Sequence, residues 1–118
     1  MTAPLLNILV AHGLEAKPLV RQLGLRQQSD KPHRLFANDQ GVSLLVVGNG
    51  KQAMAAGTGY LAGLQQIQGV APAWLNIGIA GHGRADIGSG LLINQVEDRQ
   101  TGQVYYPTPG IAGGTASA

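Results

Sequence analysis

Apolar residues occur in short runs along this chain, and the period within each run changes from segment to segment. Residues 7–12, NILVAH, are nearly continuously apolar and predict a short buried strand. From Glu15 to Leu23 the spacing turns helical. Leu14, Leu19, Val20 and Leu23 fall near one face, Pro18 sits in the first turn, and Gly24 is the stop. Residues 25–33 are polar and read as loop. Arg34 to Ala37 is a short strand signal, NDQG at 38–41 a turn signal and VSLLVV at 42–47 a strand, so residues 34–47 predict a hairpin. After Gly48-Asn49-Gly50 the helical period returns over residues 51–68, with Ala53, Met54, Gly57, Leu61, Leu64 and Ile67 on one face. Residues 73–79 and 91–97 predict two further strands. Val104 to Tyr106 should pair back across RQTGQ as a second hairpin.

Strands alternating with helices predict an α/β fold whose sheet is at least partly parallel. No internal repeat is visible. Residues 1–107 read as a single domain, and residues 108–118, which carry no periodicity, as a flexible tail. The 118 residues suffice for one core, and with aromatics at only 4% that core must be aliphatic and alanine-rich. The chain has no cysteine, so it holds no disulfide, thiolate nucleophile or zinc–cysteine site. A net charge of +2, with Lys and Arg scattered singly, gives no footprint for nucleic acid. The N-terminal apolar run is too short for a membrane span and lacks a basic flank, which makes the cytoplasm the default location.

Candidate chemistry gathers at the expected carboxyl ends of strands, where open α/β sheets bind ligands. Three such stretches stand out: AHGLE at 11–15, GNGK at 48–51 and GIAGHGR at 78–84. Each is also readable as no more than a tight turn. VVGNGKQA mimics a dinucleotide fingerprint, but such a site wants an acid about 20 residues further on. No Asp or Glu occurs between Asp39 and Asp86, so the dinucleotide reading fails. That acid-free interval carries Lys51, His82 and Arg84, a positive field suited to an anionic or electron-rich ligand. Lys51 and Arg84 also read as solvated surface charges, the commoner fate of a single Lys or Arg, and His82 reads more often as plain loop than as ligand or base. His12 ends a strand and is a candidate ligand contact. The three histidines lack metal-ligand spacing, so no metal is expected. Glu15 has two readings: a first-turn acid favoured by the helix dipole, or a general base that positions water.

NILVAHGLEAKPLVRQL, VVGNGKQAMAAGTGYL and AWLNIGIAGHGRADIGSGLLINQVEDRQTGQVYYP together resemble the nucleoside phosphorylase and nucleosidase superfamily, over residues 7–107. That superfamily includes methylthioadenosine/adenosylhomocysteine nucleosidase and futalosine hydrolase. The resemblance implies a three-layer α/β fold with a mixed sheet, and cleavage of a nucleoside's N-glycosidic bond by water or phosphate. It implies no cofactor beyond phosphate as a possible co-substrate, a small-molecule nucleoside as the partner, and a homo-oligomer. By resemblance, Glu15 activates water, Gly50 belongs to the turn before the second helix, and Ile79, Ala80 and Gly81 touch the ribose and base. Arg84 is the positional candidate for phosphate. Ile79 departs from the serine or threonine common at its position, Ser89 from an aspartate and His82 from a glycine. Family members are longer, and their later part supplies the glutamate that holds the ribose hydroxyls and the aspartate that protonates the purine. This chain therefore reads as a truncated form, incomplete as a catalyst by itself. The rival expectation is a non-catalytic small-molecule-binding or interaction protein built on part of the same fold.

Overall fold

The computed structural model of the chain describes residues 3–66 and 71–107. They divide into two units between Ala80 and Gly81. The first unit begins with β1 (Leu6–Val10), whose last four residues are all buried. A strand can be apolar on both sides only if both sides are covered, and the neighbours of β1 meet that demand. α1 spans Gly13–Leu23, β2 Arg26–Ser29, β3 Arg34–Ala37, β4 Val42–Val46, α2 Gly50–Gln65 and β5 Ala73–Asn76. The five strands form one sheet in the order β2-β3-β4-β1-β5. β1 lies parallel to both β4 and β5, whereas β2–β3 and β3–β4 are antiparallel. The fold is thus α/β with a mixed sheet.

Successive residues of a strand face opposite sides, and the core divides accordingly. Ile8, Val10 and Leu44 pack with Ala16, Leu19 and Val20 of α1 in one cluster. Leu9, Leu45 and Val47 pack with Met54, Tyr60 and Leu61 of α2 in another. α2 approaches the sheet closely at Gly57, where a Cβ would fall 2.2 Å from Val47 Cγ1 and 3.5 Å from Leu45 Cδ2. Only a glycine admits that packing. At the other end of α2 the buried side chains of Asn7 and Gln65 bond reciprocally. Asn7 Nδ2 donates to Gln65 Oε1 at 2.7 Å and Gln65 Nε2 to Asn7 Oδ1 at 2.9 Å. Each amide thereby satisfies the other, as a buried polar group must be.

Several expectations need correction. Residues 26–29, read as loop, form β2. Their polar sequence is tolerated because β2 is an edge strand with three of its four residues exposed. α1 starts two residues early, at Gly13, which moves Pro18 out of the first turn. Pro18 can give no N–H to the Leu14 carbonyl. Leu14, expected on the apolar face, is 83% exposed. On α2, Leu64 is 47% exposed and Gln65 takes the inward position, while Ile67 lies outside the described residues. The strand expected over 73–79 stops at Asn76, and its four residues are exposed along the sheet edge. The hairpin at 34–47 and the helix stop at Gly24 are as expected.

The second unit contains β6 (Val96–Glu97) paired antiparallel with β7 (Val104–Tyr105). The expected second hairpin therefore forms, but the strand foreseen over 91–97 shrinks to its last two residues. The expected tail, 108–118, lies outside the described residues. Among the described residues, no helix is long and apolar enough to cross a membrane.

Two stability tests follow from the packing. Gly57→Ala should destabilise by about 1–3 kcal/mol, the usual penalty for overpacking, and Val47→Ala in the same chain should recover part of that loss in urea unfolding. Asn7→Ala should cost about 1–3 kcal/mol by stranding the buried Gln65 amide. The double replacement of Asn7 and Gln65 by leucine should cost less than Asn7→Ala alone. A double variant as unstable as the single would contradict the paired-amide account.

Candidate functional site

β4, β1 and β5 run parallel and side by side, so their carboxyl ends share one edge of the sheet. Backbone pairing continues past the strands. Val47 N–H donates to the Val10 carbonyl at 2.9 Å, Gly48 N–H to Ala11 at 3.1 Å, and Ile77 N–H to Leu9 at 3.0 Å. The stretches 11–15 and 48–51 and the first three residues of the stretch 78–84, all picked out as strand ends, are therefore drawn together, while residues 81–84 belong to the second unit.

Glu15 joins two of them. It is the third residue of α1, whose N-cap is His12 in extended conformation. Its Oε1 accepts the N–H groups of Ala11 (3.1 Å) and His12 (3.0 Å). The bond to His12 has the form of the acid-to-N-cap half of a capping box. Its Oε2 accepts the N–H of Ile79 at 3.1 Å, across 64 residues. A carboxylate offers about four acceptor positions. Three are taken by backbone, which leaves one, on Oε2. At Gly78 a Cβ would stand 3.3 Å from that same oxygen, tighter than side chains ordinarily pack. Among Gly78, Gly81, Gly83 and Gly90 it is the one where a Cβ would crowd the carboxylate. At Gly81, Gly83 and Gly90 a Cβ would meet open space.

The remaining sequence candidates fall as follows. Ile79 offers its backbone while its side chain is 89% exposed, and Ala80 follows it, also exposed. Gly50 opens α2 after the N-cap Asn49 with φ 92°, and Lys51 is the next residue, exposed. Gly81 and Arg84 belong to the second unit. There His82 Nδ1 accepts the N–H groups of Arg84 (3.0 Å) and Ala85 (2.8 Å), so His82 closes a local turn, in keeping with its reading as loop.

Sequence reasoning missed one contributor. A cleft of about 360 Å³ at the ends of β1 and β4 is lined by His12 and Gly48, and also by Asp30, Lys31, His33 and Arg34. Asp30, Lys31 and His33 arrive on the β2–β3 turn, and Arg34 opens β3. The turn was invisible because β2 itself was read as loop; recognising RQQS as an edge strand would have placed it. The His33 ring stacks obliquely on Tyr60 of α2, with centroids 5.2 Å apart. Among the described residues no group of three or more His, Cys, Asp or Glu is placed to hold a metal ion.

The arrangement can hold a polar ligand between strand ends and fix one water or hydroxyl at the remaining Oε2 acceptor. No protein-family model, no curated protein and no solved structure matches this chain.

Glu15→Ala removes the shared acceptor of three N–H groups. It should cost about 1–2 kcal/mol, the range of a lost helix cap, and should speed hydrogen exchange at Ile79 and Ala11 selectively. Unchanged exchange at Ile79 would contradict the bridging role.

Proposed function

We propose that the strand ends around Glu15 bind a nucleoside and that the chemistry there is cleavage of the N-glycosidic bond, with Glu15 orienting the attacking water. The observation that carries this reading is the Glu15 carboxylate, held by both strand ends and left with one acceptor position that no backbone N–H takes. A general base needs a positioned acceptor within hydrogen-bond reach of the water it activates. The resemblance of residues 7–107 to nucleosidases and phosphorylases adds the substrate class. In this reading Ile79 and Ala80 contact ribose and base, and His12, Gly50 and Lys51 complete the near wall. α1 and α2 are then outer layers of a three-layer fold, an arrangement supported by their packing into separate cores. The exposed β5 edge, with Trp74 and Leu75 at 40% and 45% exposure, supports self-association. The compartment proposed is the cytoplasm.

A second reading has its own observation. Three backbone amides are enough to explain Glu15 as a structural clamp, and a non-catalytic small-molecule-binding or interaction protein would need nothing more from it. Amide shift mapping with adenosine and with methylthioadenosine, alongside a hydrolysis assay, separates the two. Shift changes should fall on residues 11–15, 48–51 and 78–80; changes confined to the β6–β7 hairpin would overturn the nucleoside site. Turnover by the 118-residue chain should stay near the buffer rate. Protonation of the leaving base, worth about two to four orders of magnitude, has no residue assigned to it here. Hydrolysis well above buffer that Glu15→Gln removes would place the whole reaction in this chain. Absence of any shift change at residues 11–15, 48–51 and 78–80 with either nucleoside would favour the second reading.

A further inference from the structure

A groove of about 690 Å³ runs along α1 beside β3, on the same side of the sheet as the α1 core. Its volume lies within the range of about 300–1,000 Å³ typical of small-molecule sites. The construction follows from two periodicities. Ala16, Lys17 and Val20 recur at the spacing of one helix stripe. Arg34 and Phe36, two residues apart on β3, share one face of the strand. Ala16, Val20 and Phe36 give an apolar floor and Leu14 an apolar lip. Lys17 and Arg34 supply two positive charges, and no Asp or Glu is in the lining. The Arg34 guanidinium lies against Gly13, so close that a Cβ there would stand 2.7 Å from Nη2. Neither cation forms an ion pair among the described residues.

We infer that this groove binds a small apolar anion, a carboxylate on an aromatic or branched hydrocarbon body. Charge complementarity and the floor select the occupant together. A neutral hydrocarbon would cover Val20 and Phe36 but leave the cations unused. A free phosphate would meet the cations but leave the floor wet. A carboxylate carried on an apolar body satisfies both, because hydrogen bonds to charged groups are the stronger kind and burial of the body is favourable in proportion to its area. The occupant differs from the neutral nucleoside proposed above, and the inference stands without that reading.

Anilinonaphthalene sulfonate, an apolar monoanion, serves as the fluorescent probe, with phenylpropionate as the competing carboxylate. The intact chain should bind the probe saturably at one site, phenylpropionate should displace it, and amide shifts should move at Ala16, Val20 and Phe36. Arg34→Gln should weaken binding about tenfold, the worth of one charge-assisted contact, and Lys17→Gln should weaken it to a lesser degree. Both residues are exposed, so neither change threatens the fold. Three results would overturn the proposal: equal affinity in Arg34→Gln, equal affinity for neutral phenylnaphthylamine, or shifts centred on Trp74 and Leu75. Sedimentation showing a second copy of the chain excluding the probe from the groove would also overturn it.

Discussion

A strand buried on both faces has to be covered on both faces, and β1 sets that requirement for the whole first unit. Ile8 and Val10 need α1, and Leu9 needs α2. The parallel neighbours β4 and β5 satisfy its backbone on either side. Both ends of β1 are then tied by polar side chains rather than apolar ones. Near its start, Asn7 is matched to Gln65 of α2 in a reciprocal amide pair. Just past its end, Glu15 gathers the N–H groups of Ala11, His12 and Ile79. In a strand apolar on both faces a slip still presents apolar side chains to each helix, whereas a buried amide pair or a carboxylate bridge tolerates only one register. The apolar faces hold β1 in the sheet, and the two polar ties fix where along the sheet its neighbours stop.

What could be read from the sequence follows this division. The apolar runs at 7–12 and 42–47 and the helical period after Glu15 and Lys51 are patterns a core imposes locally, and they locate β1, β4, α1 and α2. β2 escaped because RQQS carries no apolar face; it is a strand through its pairing with β3, which is a tertiary fact. The inward turn of Gln65 in place of Leu64 escaped for the same kind of reason. Its partner, Asn7, is 58 residues away, and the helical period cannot register a polar pair that distant. Leu91, Leu92 and Ile93 had the composition of a strand, but only Val96–Glu97 finds a partner, in β7.

The candidate site was legible to a similar depth. Position along the strand ends was predictable, since carboxyl ends of parallel strands converge by topology. The grip of the Glu15 carboxylate was not, because Ile79 reaches it only through the parallel pairing of β5 with β1. The glycines of the 78–90 stretch divide in the same way. Gly78 is constrained by Glu15 Oε2, a relation created by the fold, while Gly81, Gly83 and Gly90 stand in open space.

That grip bears on the choice between a structural and a chemical role for Glu15, because the two roles draw on the same bonds. A carboxylate free to rotate must be ordered before it can direct a water molecule, and that ordering costs side-chain entropy. Here the backbone of two strand ends has already done the ordering. Preorganised groups of this kind contribute most to a reaction because they need no rearrangement as charge develops. The clamp is therefore compatible with catalysis and would be part of it. What separates the readings is the fate of the fourth acceptor position. A purely structural glutamate leaves it to bulk water, whereas a catalytic one holds a single water there, oriented by Oε2 and bounded by the bare backbone of Gly78.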